Sequence, residues 1–358
     1  MIRTARSLAA LAALSITAIA VAGCSGPTEP APSGSGEPEA PLTLSVGTAA
    51  PLTNFSDIYI AEARGYFDQA GVDVDIQSGV GANGLNSVVS GQLDLLMFGT
   101  GQALIPAGKG QDTVVVYNQI GAGEGAALAV KADSPYQTPE DLAGKRVAVL
   151  GVGGSSYGWG QYFSAFSENE TGQAYDLQQS NAVGDQVNGI LSGHFDGMVS
   201  TGALLTAQIA DGSVRLVVDP GSPDAAKYVP AQYVETCTFG IRDNLESKRE
   251  AVTRFLAAMQ AADRWLQQAD PADIAAELKK STAFDGQSVE SLAAGAAYDQ
   301  PFFAPSLGEI SEGLWSSTLD QLSFWGLPDV DLAADTFSYG SRVDMSYLND
   351  AADIEIEP

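Results

Sequence analysis

Two cysteines and one histidine are all that 358 residues contain, and 17 Lys and Arg stand against 44 Asp and Glu. Each shortage removes a class of function. Two cysteines cannot build a disulfide framework. A single histidine, His194, supports neither a Cys/His metal cluster nor, where it falls, a Ser/His/Asp triad. A net charge of −27 repels nucleic acid and anionic headgroups, so neither is an expected partner. The longest apolar run, Leu8 to Val21, has about 15 residues, short of the roughly 20 that cross a bilayer. No metal and no cofactor is expected.

What is present begins at the N-terminus. Arg3 and Arg6 precede that apolar run, and small residues lead into Cys24, the order of a signal peptide over residues 1–23. Val21-Ala22-Gly23-Cys24 is similar to the lipobox of bacterial lipoproteins, which implies diacylation of the Cys24 thiol, export, and anchoring on the extracytoplasmic side of the cell membrane. Residues 24–41 are Ser, Gly, Pro, Glu and Thr with almost nothing to bury, so they read as a disordered tether. With Cys24 consumed, Cys237 is left alone in the strand-like run Val234-Glu235-Thr236-Cys237, where a buried, inert thiol is expected.

An internal repeat organises the remainder. Leu85-Asn86-Ser87-Val88-Val89-Ser90-Gly91-Gln92-Leu93-Asp94 matches Val187-Asn188-Gly189-Ile190-Leu191-Ser192-Gly193-His194-Phe195-Asp196 at a spacing of 102 residues. The same spacing lays Leu44-Ser45-Val46 over Arg146-Val147-Ala148 and Asn54 over Ser156. Apolar periodicity within each copy reads strand, helix, strand, helix, strand. The expected fold class is therefore α/β, with two similar βαβαβ lobes, parallel sheets and a hinge of two crossovers. Lobe one is expected over residues 42–133 plus 235–345 and lobe two over 134–234, with further C-terminal helices on lobe one and a frayed acidic tail over 346–358. Asp94 and Asp196, in equivalent turns of separate lobes, read as capping or turn residues, and His194 falls at the sheet end away from the cleft.

In open parallel sheets a ligand sits at the carboxyl ends of the strands, so the cleft between the lobes is the expected site. The loops that reach it carry the candidate binding residues Thr53, Asn54, Phe55, Asn83, Thr100, Gln102, Ser155, Ser156, Tyr157, Asn181 and Thr201. Phe55, Tyr157 and Trp159 offer a stacking wall. The glycine-rich run Gly151 to Ser156, just before a helix, offers a nest of N–H groups. None of these loops contains Lys or Arg, which makes a neutral, zwitterionic or heteroaromatic ligand fit at least as well as an anion. No catalytic residue is assigned.

Three stretches carry a family resemblance: Glu62-Ala63-Arg64-Gly65-Tyr66-Phe67 with Gly71-Val72-Asp73-Val74; Ser90-Gly91-Gln92-Leu93-Asp94; and Thr138-Pro139-Glu140-Asp141-Leu142-Ala143-Gly144-Lys145-Arg146-Val147. Over about Leu42 to Leu327 the chain resembles the type II solute-binding proteins of ABC importers, in the group for sulfonates, taurine, nitrate and thiamine-type pyrimidines. The resemblance implies a monomer that closes its lobes on a solute and docks on a membrane permease. It also admits an enzyme of the pyrimidine-synthase type on the same scaffold, which would need a cysteine cluster and a histidine that this chain lacks. A sensor that passes its closed form to a signalling partner is a third possibility.

Overall fold

The computed structural model describes residues 41–357 apart from 82, 122, 152, 153, 181, 230, 231, 328 and 329. The leader, Cys24 and nearly all of the tether thus lie outside the described residues. In chain order the elements begin β1 (Thr43–Thr48), α1 (Ser56–Ala63), α2 (Tyr66–Ala70), β2 (Asp73–Ser78), α3 (Asn83–Val89), β3 (Leu95–Gly99), α4 (Thr100–Gly108) and β4 (Thr113–Gly121). There follow β5 (Ala127–Lys131), β6 (Arg146–Val149), α5 (Ser155–Thr171), β7 (Asp176–Gln179), α6 (Val183–Ser192), β8 (Gly197–Ser200), α7 (Thr206–Ala210) and β9 (Val214–Val218). The chain returns through β10 (Val234–Ile241) to α8 (Arg242–Ser247), α9 (Arg249–Leu266), α10 (Pro271–Leu278), α11 (Val289–Asp299), β11 (Phe303–Gly308), α12 (Glu312–Trp325), α13 (Tyr339–Arg342) and α14 (Ser346–Ala351).

The strands form two sheets, ordered β11-β4-β10-β3-β1-β2 and β7-β6-β8-β5-β9. In each, three strands run parallel (β2-β1-β3 and β7-β6-β8), and one strand lent by the crossover, β10 or β5, pairs antiparallel with its neighbours. This places the first crossover between Gly121 and Ala127, not near Asp133: β5 already belongs to the second sheet. The second crossover lies between Val218 and Val234.

Alternation along the strands divides the apolar residues among three clusters. Leu95 and Met97 face the cluster under α1 and α9, while Leu96 between them faces a middle cluster shared by both lobes. On the second sheet Val147 and Val149 join the middle cluster, while Ala148 faces a small third one with Ile190 and Met198. Eight of the nine residues of β4 are buried, which is why its sequence reads as an apolar run and not as alternation.

The repeated Ser-Gly-x-x-Asp is a helix stop followed by a strand clip. Gly91 and Gly193 take φ of 75° and 76°, a left-handed conformation that only glycine adopts without strain, and so end α3 and α6. Asp94 then accepts the N–H of Ser45 at 2.8 Å, and Asp196 accepts that of Arg146 at 3.1 Å. These partners lie 49 and 50 residues away, so the first strands of the two copies align one residue off the spacing of the decapeptide.

Two expectations for the C-terminal region need correction. The helices do not cover lobe one alone: α12 packs on α5 of lobe two, and α11 packs on the Gly202–Leu205 turn of lobe two. Nor is the acidic end frayed throughout. Its α14 buries Tyr347, Leu348 and Ala351, and beyond it Ile356 is buried as well. Arg249 lies over the Tyr347 ring at 4.4 Å and pairs with Asp350 at 2.8 Å, so apolar contacts invisible to a charge count dock the segment.

Candidate functional site

Where the carboxyl ends of β1, β3, β6 and β8 face one another, the two sheets enclose a cavity of about 350 Å³. Lobe one supplies Ala49, Leu52, Asn54, Phe55, Phe98, Gly99 and Gln102; lobe two supplies Leu150, Gly151, Gly154, Ser155, Ser156, Ser200, Thr201 and Leu204. Glu124 comes from the first crossover, and Glu235 and Thr236 from the start of β10, just after the second. Most of the wall is carbon, with polar side chains from both lobes and two buried acids, Glu124 and Glu235.

Six of the candidate residues line this cavity: Asn54, Phe55, Gln102, Ser155, Ser156 and Thr201. Ser156 is committed to the scaffold, for its hydroxyl donates to the Val199 carbonyl at 2.6 Å and accepts the Leu150 N–H at 3.0 Å, tying β6 to β8. Thr53 lies beneath the lining and donates to Asp299 Oδ2 at 2.5 Å. Thr100 is buried and reaches the Glu235 carbonyl at 3.4 Å. Tyr157 packs on the middle cluster, outside the lining. Asn83 is exposed at the start of α3. Asn181, together with Val152 and Gly153 of the glycine-rich run, lies outside the described residues. Trp159 is fully buried behind the wall, its ring N–H donating to Glu235 Oε1 at 3.3 Å.

Sequence reading passed over the two acids. Glu124 and Glu235 are 3% and 2% exposed, and Glu235 Oε1 also accepts the Gly125 N–H at 3.0 Å. Gly125 has no room for a side chain, since a Cβ there would stand 2.6 Å from that oxygen. Burial pushes Glu124 well above the ordinary carboxyl range, and the charges of Asp299 and Glu235 push it further, against the pull of Thr201 and Asn54. Glu235 is raised by burial too, although Tyr233, the Gly125 N–H and Trp159 act to lower it. Burial likewise carries Asp299 up to about 7, with Thr53 and Glu124 opposing. Among the described residues no Lys or Arg acts on any of the three. One signal was available: an acid inside a strand-like apolar run, Val234-Glu235, is costly to bury without a reason.

Cys237 is buried, and burial pushes its thiol up to about 12 while Thr100 pulls it down, so it is held as an inert thiol. His194 is exposed and meets the Phe195 ring edge-on, at the end of β8 opposite Ser200 and the cavity. Among the described residues no group of three His, Cys, Asp or Glu is placed to hold a metal ion, and no helix is long and apolar enough to cross a membrane.

Paired sheets, each with one strand lent by a crossover, and a cleft at the strand carboxyl ends define the generic periplasmic-binding-protein fold. The chain belongs to the NMT1/THI5-like family, whose model matches residues 52–273. A Bacillus subtilis (strain 168) protein described as "Putative binding protein YtlA" is 22% identical over 228 residues, 63% of this chain and 66% of that protein. The match thus spans just under two thirds of that relative's length. Among solved structures, the alkanesulfonate-binding protein SsuA of Xanthomonas axonopodis pv. citri, bound to MOPS, superposes with a TM-score of 0.62 at 18% identity, covering 82% of this chain and 97% of its own. The periplasmic nitrate-binding protein NrtA of Synechocystis PCC 6803 gives 0.65 at 14% identity, covering 88% and 90%. At such identities the likeness is one of fold.

Proposed function

We propose that this protein is the extracytoplasmic solute-binding component of an ABC importer, anchored through a lipidated Cys24, which captures a small organic solute between its lobes and presents it to a membrane permease. The carrying observation is the cavity of about 350 Å³, walled by equivalent strand ends of both lobes, by Glu124 of the first crossover and by the start of β10. A solute there touches both lobes at once, so its binding energy favours the closed arrangement. Membership of the NMT1/THI5-like family and the shared fold of binding proteins such as SsuA and NrtA support the reading. Sulfonate-like and heteroaromatic solutes are the two classes the family suggests.

A thermal-shift screen of the mature protein against sulfonates, taurine, nitrate, pyrimidines, flavins and small amines tests this. A true solute at a hundred times its dissociation constant stabilises by about 2.7 kcal/mol, a readily measured rise in melting temperature. A second arm substitutes Ser155→Trp at the cavity wall, where the added ring fills space the solute needs, which should weaken binding of the hit without unfolding the protein. If no compound raises the melting temperature, solute capture fails.

A further inference from the structure

We infer that the cleft selects a solute with an apolar or aromatic body and a cationic head bearing N–H donors, such as an ammonium or amidinium group, and rejects sulfonates and nitrate. This deepens the solute-capture reading and rests on it. The argument starts from unpaired acceptors. Glu124 Oε1, Glu235 Oε2 and Asn54 Oδ1 are each buried without a hydrogen-bond partner, on three side chains that line one cavity. A buried acceptor left unpaired costs about 1–3 kcal/mol, and three at one place call for a donor that arrives with the ligand. The Tyr233 hydroxyl is itself without a partner and lies close enough to Glu235 to lower its carboxyl, so it is the one nearby donor with which a ligand competes.

Charge points the same way. Glu124 is faced by Glu235, Asp299, Tyr298, Asn54 and Thr201, and Glu235 by Tyr233 and Trp159, with no basic residue among them. An anion brings only acceptors to this wall, and wherever the carboxyls are ionised it also enters a field of like sign. A quaternary ammonium carries the right charge but no N–H, so it leaves the acceptors unpaired. Leu52, Phe98, Leu150 and Leu204 give the same cavity an apolar lining, which suits a ring or short alkyl body.

Burial raises these carboxyls in the absence of a ligand, so a cation that binds them favours their ionised form and must expel a proton to solvent. Affinity for the cation then rises with pH until the carboxyls ionise unaided, and falls in acid.

Four shape-matched probes test the inference on the full mature chain: benzamidine, benzamide, phenyltrimethylammonium and benzenesulfonate. Calorimetry in phosphate and in Tris, which differ in ionisation enthalpy, reads proton release directly. We expect benzamidine to bind tightest, to release a proton, and to lose about ten- to a hundredfold in affinity in Glu124→Gln, the range for a hydrogen bond to a charged group. Should that variant not fold, the pH profile and proton release of the wild type decide alone. Benzenesulfonate binding as well as benzamidine would overturn the charge selection while leaving solute capture intact. Equal binding of phenyltrimethylammonium would overturn the need for N–H donors. Benzamidine binding without proton release, or unaltered in a folded Glu124→Gln, overturns the role of the acids. If neither these probes nor the wider screen binds, both readings fall.

Discussion

Lobe one and lobe two use one strand plan with very different amounts of material around it. The first sheet is backed by α1, α2, α9, α10 and α14 over an extensive core that includes Phe255, Phe284 and Tyr347. The outer face of the second sheet rests on a handful of residues such as Ala148, Ile190 and Met198. Lobe two is held largely by what it shares with its partner, the middle cluster around Trp159, Trp315 and Trp325. A thin lobe docked on a thick one through a common apolar layer is suited to closing on a ligand, because the shared layer and the crossovers carry the coupling. The repeated motif lies at the ends of the sheets away from the cleft, where both lobes need the same turn. The residues that line the cavity lie at the opposite ends of those sheets.

Removing the shared layer should break the comparison most severely. Trp159→Ala empties a fully buried indole site, at a cost of about 3–5 kcal/mol, and should make lobe two unfold at lower urea than lobe one. A single two-state transition would instead show that the lobes depend equally on that layer. Next in size is a pH effect confined to lobe one, where burial carries Asp57 up to about 7 against the Ile58 N–H and Gln119. Its folded value lies above its unfolded one, so its contribution is greatest below about pH 4. Wild-type stability should then fall by on the order of 1 kcal/mol per pH unit up to about pH 7. In Asp57→Asn that slope should flatten, leaving the variant the more stable at neutral pH; equal slopes in denaturation series across this window would refute the assignment.

Smaller effects sharpen how the lobes meet. Gly158 of α5 lies so close to Trp325 that a Cβ there would stand 2.1 Å from the ring. Gly158→Ala should therefore cost about 1–3 kcal/mol and lower solute affinity by prising α5 from α12. Gly184→Ala in α6, where nothing stands within 4 Å of the added Cβ, serves as the control. The smallest difference separates the two strand clips. Asp94 is held by Lys248 at 2.7 Å and by Asn244 at 3.0 Å, while Asp196 has Tyr136 at 3.0 Å and the longer Arg146 contact of 3.7 Å. Burial acts to raise Asp94, but Lys248, Ser45 and Asn244 outweigh it and hold the carboxyl low. Asp94→Asn should cost about 1–2 kcal/mol and Asp196→Asn less than about 1, the range of partly solvated ion pairs. Equal melting temperatures of the two variants would remove this asymmetry.

The amino-acid order determined by itself what short-range physics controls. Apolar alternation located the strands, left-handed glycines closed α3 and α6, and the spacing of two like segments revealed two lobes, since a repeated turn must use the same residues twice. It also directed attention to the strand ends, where Asn54, Phe55, Gln102, Ser155, Ser156 and Thr201 do line the cavity. Only the tertiary structure decided which of these keep their polar groups free, since the hydroxyl of Ser156 is spent on β6 and β8 and that of Thr53 on Asp299. It alone brought together Glu124 of the first crossover and Glu235 of β10, outside the repeat and 111 positions apart. Long-range approach of like charges leaves no periodic trace in a sequence, because nothing local to either residue requires the other. For the same reason the docking of α12 on lobe two and of α14 under Arg249 stayed hidden: each depends on a partner surface that exists only once the chain has folded.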